Sequence, residues 1–520
     1  MLNNENKLTE TLGKKMTNVA SFIVAGKSIS LIINLVTFII IARYLGPSAF
    51  GIYTIIMSIT ALFGGFGNPN INSYISERIP KLISAKKTSE AKLVLGDTLF
   101  ITIIFGIILT ILVLVFSPSF SVYSLHNINY FFLLDIASVT ILLALIYATL
   151  YYHILSLNKG GSLATSSIIH ASIQGIFGVG LVLLGFGILG AILGFIFGLI
   201  VASLFEFYVL LKHLGFNFKL EGIFSRVKKI LLFSKDMAYS NIISASISNF
   251  SVIFLALIVS SSLVGYYGIA SRVGSLIDVF IGAISLAVLP MFSEAIYKEK
   301  QGANAGKLLY FSTYISLIFT TPLIIFLSVF SGEIIYIAFN TAYLGATQYM
   351  QLISIGILIG IFGSYGANFL ITSSKQNKIL KYTAISVLLQ FIFLFILTPY
   401  FGVIGMIIAT FYIGNISLSI LYLNYFSKIG INMHRGKLLR LLTANFLFAF
   451  LLIPISLIFS GAIGLLIGVA AMFLLYPIFL GVMKALTNND ILVIKTVSES
   501  VPIFGKIIVS IANYASKFCS

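Results

Sequence analysis

Two cations stand where an apolar chain has least use for them. Lys27 lies nine residues inside an apolar run over 18–41, and Arg272 lies inside another over 266–290. At 1.5 Å of rise per residue a helical run carries Lys27 about 13 Å below its start. An ionised side chain at that depth of a bilayer costs several kcal/mol unless it is hydrated or paired. The chemistry such groups offer is anion binding: both donate charge-assisted hydrogen bonds to phosphate, and a guanidinium adds a bidentate fork that an ammonium lacks.

The neighbours of these cations follow helical spacing. Lys27, Ser30, Asn34 and Thr37 fall at i, i+3, i+7 and i+10, one polar face of the kind that lines a wet cavity. Arg272 shares its stripe with Gly268, Ser271, Ser275, Asp278 and Gly282; Asn241, Ser244, Ser248 and Ser251 form a third stripe, and Ser166, His170 and Gln174 a fourth. Ser and Asn also serve as hydrogen-bonded glue between helices, so the cations and not the hydroxyls single out these faces. The candidate cavity set is Lys27, Arg272, Asn34, Ser30, Asn241, Ser275, His170 and Gln174. Asp278 ranks first as a coupling-ion site because it shares a face with Arg272, where it could equally be a plain counter-ion; the other embedded acids are Asp97, Asp135 and Glu206. Arg43 and the pair Lys235–Asp236 sit near the ends of their runs and read as gate or interfacial residues.

Other chemistry finds no support. There is no G-x-x-x-x-G-K-[ST] loop, no H-E-x-x-H, and five scattered histidines without ligand spacing. The single cysteine, Cys519, forms neither an intrachain disulfide nor a thiol cluster. No catalytic residue, metal or cofactor is expected.

The elements that must position these residues are membrane helices. A chain of 520 residues that is 59% hydrophobic and 9% charged cannot hide its apolar surface in a soluble core. About fourteen runs are long enough to cross the hydrocarbon layer: 18–41, 50–68, 93–116, 130–154, 161–184, 190–211, 231–259, 266–290, 308–330, 348–371, 382–398, 405–426, 441–459 and 464–483. The first is too long for a signal peptide and reads as an uncleaved span. Twenty-eight of the 32 Lys and Arg lie in alternate segments between the runs and at both termini, which sets both termini in the cytoplasm. The net charge of +17 is then topology and attraction to anionic lipid, with no nucleic acid implied. The tail near 501–519 places apolar and polar residues on opposite faces and reads as an interfacial helix.

The chain also repeats itself. ISERIPK at 75–81 and FSEAIYK at 292–298 match at an offset of 217, as do AFGIY (49–53) and YYGIA (266–270); FGILGAILG (186–194) meets FGVIGMIIA (401–409) at 215. The expected architecture is all-α and integral to the membrane. It comprises a cytoplasmic segment 1–17, an N-lobe 18–211 of six helices, a linker 212–230, a pseudo-symmetric six-helix C-lobe 231–426, two further helices within 427–483 and a cytoplasmic amphipathic tail 484–520. An offset spanning six helices keeps both lobes in one orientation, a parallel repeat.

RYLGPSAFGIY at the first outer turn, the SERIPK loop and the duplicated FGILG and FGVIG turns resemble the polysaccharide-lipid flippase branch of the multidrug/oligosaccharidyl-lipid/polysaccharide exporter (MOP) superfamily, over about residues 15–480. The resemblance implies a monomeric protein of the cytoplasmic membrane. It would move polyprenyl-(di)phosphate-linked oligosaccharide across by alternating access, with membrane lipids and glycosyltransferases as neighbours. The alternatives are a cation-coupled multidrug antiporter of the same superfamily, disfavoured by a lysine in place of a carboxylate on the first helix, and a membrane glycan polymerase or ligase, disfavoured by short, uncharged outer loops.

Overall fold

The computed structural model describes residues 2–67, 70–298, 303–373, 375–429, 435–486, 510 and 514; the expected tail helix lies almost wholly outside them. Every regular element among the described residues is helical. The chain divides into two compact units, Met1–Gly265 and Tyr266–Ser520. The first contains α1 (Leu2–Phe66), α2 (Ile71–Ser84), α3 (Thr88–Tyr123), α4 (Phe131–Ser156), α5 (Gly160–Leu181), α6 (Gly187–His213) and α7 (Ile223–Ala256). The boundary falls inside α8 (Ser261–Lys298). The second unit continues with α9 (Ala303–Val329), α10 (Ser331–Phe339), α11 (Thr347–Thr372), α12 (Gln376–Ile407), α13 (Gly414–Lys428), α14 (Arg435–Ile458), α15 (Gly461–Leu474) and α16 (Tyr476–Val482).

All fourteen apolar runs fall on helices. Among the described residues nine helical stretches are long and apolar enough to cross a bilayer, and Ser21–Phe66, Gly160–His213 and Asn377–Lys428 hold 46, 54 and 52 residues, enough for two crossings each. The chain reverses inside these stretches at glycine. In α1 the turn is Gly46, at φ 70°, ψ 170°, followed by Pro47, whose missing N–H suits the first turn of the next helix. Between α5 and α6 it is Gly185 and Gly187, and within α12 it is Gly402.

The last two turns are copies. Gly187 adopts φ 55°, ψ −130° and Gly402 adopts φ 54°, ψ −127°, at the offset of 215 read from the sequence. Further along, Gly190 packs on the backbone of Leu181 and Gly405 on that of Leu397. Leu181 and Leu397 are 216 apart, so one residue has been gained before Gly187. It is taken up by the π-helical segment Val182–Phe186. The second unit has its own π-helical segment after the turn, Ile408–Ile413, which restores an offset of 216. Gly198 packing against Gln174, and Gly414 against Gln390, confirm that register. Each segment therefore absorbs a single extra residue, the second within a continuing helix and the first as it runs into the turn at Gly185.

At the end of the first unit that carries α2, Ile75, Ile79, Leu95, Leu150, Ile154, Leu163, Leu210 and Ile230 form one buried cluster across six helices. The same end carries an ion pair. Arg226 donates from Nε to Asp97 Oδ2 at 2.7 Å and from Nη2 to Oδ1 at 2.9 Å, and from Nη1 to the Glu221 carbonyl at 2.6 Å. A Cβ on Gly96 would stand 2.5 Å from the Asn217 carbonyl, so the segment before α7 lies directly on α3. At the opposite end, the α7–α8 turn meets α1 backbone to backbone: a Cβ on Gly51 would overlap the Ser261 carbonyl, and one on Gly265 the Pro47 carbonyl. The Ser48 and Ser261 hydroxyls close this seam at 3.0 Å.

Candidate functional site

The polar residues of the first unit converge between α1, α4, α5 and α6. Small residues permit the approach of α1 and α5. A Cβ on Gly26 would overlap Ala164, and one on Gly175 would stand 2.6 Å from Thr37 Oγ1. On α1, Lys27 is exposed and its Nζ lies 6.0 Å from the centroid of the Tyr151 ring on α4, within cation–π reach. Ser30 is buried and returns its hydroxyl to the Gly26 carbonyl at 2.8 Å. Asn34, one turn on, buries an Oδ1 that meets no donor.

From Tyr151 the cluster runs inward. Its ring centroid is 6.3 Å from that of Tyr147, and Tyr147 stacks on His170 of α5 at 5.4 Å and 21°. The His170 Nε2 is buried without a partner. Gln174 lies one turn further along α5, beneath Gly198 of α6. Ser166 and Ser167 neighbour the Tyr147 hydroxyl, and Ser166 donates to Glu206 Oε1 of α6 at 2.7 Å. Glu206 has no exposed surface, and its Oε2 has no hydrogen-bond partner. A chain of neighbours thus links an exposed ammonium to a buried carboxyl: Lys27, Tyr151, Tyr147, Ser166, Glu206.

The other embedded acids with described side chains are satisfied locally. Asp97 is held by Arg226, and Asp135 accepts from Ser117 Oγ at 2.5 Å. Sequence reading placed Ser166, His170 and Gln174 on one stripe and counted Glu206 among the embedded acids. It had no means of pairing Ser166 with Glu206, since 40 residues and a helix reversal separate them. Tyr147 and Tyr151 went unnoticed among 26 tyrosines.

In α8 of the second unit, Arg272 is exposed, and Ser275, also exposed, spends its hydroxyl on the Arg272 carbonyl at 2.7 Å. Arg43 is exposed one residue-triplet before the Gly46 turn. The side chains of Lys235, Asp236, Asn241 and Asp278 lie outside the described residues. Among the described residues no group of three or more His, Cys, Asp or Glu could hold a metal ion.

Residues 17–296 match the model of a family described as polysaccharide biosynthesis protein. The chain belongs to that family. A stretch of 148 residues is 32% identical to an uncharacterized membrane protein of Methanocaldococcus jannaschii, covering 28% of this chain and 28% of that relative. Among solved structures, the fold is similar to the lipid II flippase MurJ in an inward closed conformation, with TM-score 0.72 and 20% identity over 88% of this chain and 97% of that one. It is also similar to an inward-facing multidrug resistance MATE family transporter of the MOP superfamily, with TM-score 0.59 and 18% identity over 78% and 98% of the two chains. A third similar structure is a MOP superfamily transporter from Pyrococcus furiosus described by the reverse polarity of its binding pocket, with TM-score 0.57 and 18% identity over 80% and 96%. Family and fold together make this chain a multi-pass membrane protein of the polysaccharide biosynthesis family, with the fold of these transporters.

Proposed function

We propose that the chain is a flippase that carries polyprenyl-(di)phosphate-linked oligosaccharide from the inner to the outer leaflet of the cytoplasmic membrane, its two lobes rocking in alternating access. The observation that carries this reading is the placement of Lys27: an exposed ammonium on the polar face of a membrane helix, set over an aromatic ring in the part of the chain that the polysaccharide family model covers. Such a group attracts an anion and repels a cation. Arg272, exposed on α8, is the second phosphate ligand in this proposal, and its fork supplies two parallel donors. Lys235, Asp236 and Arg43 act as gate residues, and Asn34, Ser30, Asn241, Ser275, His170 and Gln174 contribute hydrogen bonds to sugar or phosphate. Both termini are cytoplasmic, and the glycosyltransferases that build the same lipid-linked sugar are the partners this reading expects. A cation-coupled drug antiporter could draw on the Glu206 carboxyl, but its substrate would meet Lys27 on the same cavity wall.

The test is depletion of the protein followed by mass spectrometry of lipid-linked oligosaccharides, with the leaflet of each species assayed. Accumulation of complete species in the inner leaflet supports a flippase. Accumulation of unpolymerised sugar in the outer leaflet would point to a polymerase, and unchanged lipid pools would contradict both.

A further inference from the structure

The carboxyl of Glu206 ties α6 to α5 through one hydrogen bond and leaves its second oxygen unused. It is entirely buried, only one of its oxygens accepts a hydrogen bond, and the Ser203 hydroxyl, one turn earlier on the same face of α6, is buried and unpartnered as well. The repeat supplies a control. At the offset of 216 fixed by Gly198 and Gly414, Ser166 and Glu206 correspond to Tyr382 and Tyr422, whose rings meet edge to face at 5.5 Å. The same helix pair therefore packs in the second unit with no carboxyl at all.

We propose that Glu206 is a proton-binding site whose occupancy is linked to anion binding at Lys27. The proposal rests on the flippase reading for the identity of the anion, and on the geometry alone for the proton. An ionised carboxylate here lies about 10 Å from the inner end of α6, with one oxygen lacking any donor. A proton on Oε2 removes that charge while Ser166 still donates to Oε1. A hard metal cation gathers about six oxygens, whereas the side-chain oxygens at hand are the carboxyl and the hydroxyls of Ser166, Ser203 and Tyr147. The titratable groups facing Glu206 are Tyr147 and Tyr151 from α4, His170 from α5 and, beyond Tyr151, Lys27 from α1; His153 of α4 turns instead to Thr98 of α3 at 2.9 Å, and Tyr208 of α6 is exposed. Lys27 is thus the one fixed cation in this group. With Glu206 ionised, Lys27 is partly neutralised across the two tyrosines. With Glu206 protonated, the full charge of Lys27 is available to an incoming phosphate. Linkage requires the converse: an anion on Lys27 tightens proton binding at Glu206.

The test is infrared difference spectroscopy of the full-length protein in lipid vesicles on pH steps, with polyprenyl diphosphate as the added anion. The wild type is expected to show a buried carboxyl carbonyl band that titrates. Glu206→Gln should lack it, and Ser166→Ala should keep it with a shifted midpoint. Polyprenyl diphosphate should move the wild-type midpoint to higher pH by about 1 unit, a tenfold coupling, and should leave it unmoved in Lys27→Ala. A band that persists in Glu206→Gln, or one that sodium ions abolish at constant pH, would overturn the proton site. A band that titrates but ignores the lipid in wild type would overturn the linkage. If polyprenyl diphosphate does not bind the wild type at all, the flippase reading fails while the band still decides the proton site.

Discussion

Ser166 and Glu206 in the first unit, Tyr382 and Tyr422 in the second, occupy the same two positions of the same repeated helix pair and bury opposite chemistry. Around this point the second unit places neutral side chains in hydrogen bonds. Ser386 donates to the Gly414 carbonyl at 2.9 Å, Gln390 donates to Ser386 at 3.1 Å, and Asn415 donates to the Gly356 carbonyl at 2.9 Å. The first unit places His170 and Gln174 where the second has Ser386 and Gln390, and it leaves His170 Nε2 and Glu206 Oε2 without partners. The helix pair that packs in the second unit without a carboxyl at these two positions has kept a buried one in the first. That asymmetry identifies the first unit's interior as the place where something other than stability is served.

The comparison can be broken most forcefully by moving the charge. Tyr422→Glu would remove a ring that packs on Gly366 and Tyr382 and would bury a carboxyl with no donor, at a cost of about 4 kcal/mol or more. Glu206→Leu should cost less, about 1–2 kcal/mol, because it removes a partly satisfied buried group but leaves the buried Ser166 hydroxyl without its acceptor. Thermal unfolding in detergent would measure both, and equal losses would mean that Glu206 is structural after all.

A second contrast lies at the end of the first unit that carries α2 and the Asp97–Arg226 pair. Arg226→Ala would strand the buried Asp97 carboxylate and should cost about 3 kcal/mol. Ser312, the counterpart of Asp97 at the offset of 215 that sets AKLVL (91–95) on GKLLY (306–310), donates to the Leu309 carbonyl of its own helix, so Ser312→Ala should cost less than about 1 kcal/mol. Limited proteolysis near 215–222 should accelerate for the first variant alone.

The smallest effect sharpens the likeness instead of the difference. Gly187→Ala and Gly402→Ala each force a side chain into the same positive-φ turn, costing about 1–3 kcal/mol. The two losses should agree closely, and a clear inequality would show that the turns are copies in shape only.

These contrasts also show what could be read from sequence. The helical runs and the duplicated FGILG and FGVIG turns are local patterns, and the two turns reappear with matching dihedral angles. Lys27 and His170 stood out because a charge and an imidazole are rare in such runs. The Asp97–Arg226 pair spans 129 residues, and no spacing rule joins them. The correspondence of Glu206 with Tyr422 was hidden for a different reason. Each unit spends one extra residue in a π-helical segment on opposite sides of the turn, so a gap-free register of 215 sets Glu206 against Leu421. Only the glycine contacts reveal the step to 216.

The roles of Lys27 and Arg272 are tested most directly by the rate at which vesicles containing the full-length protein move a polyprenyl-diphosphate-linked oligosaccharide between leaflets, followed by its accessibility to a membrane-impermeant oxidant. Wild-type protein should equilibrate the lipid. Lys27→Ala and Arg272→Ala should abolish movement while inserting normally, since removing an embedded charge eases insertion. Lys27→Arg should recover more activity than Arg272→Lys, because only arginine supplies the fork. Wild-type rates in both alanine variants, at normal protein levels, would contradict the assignment of the phosphate to these two cations.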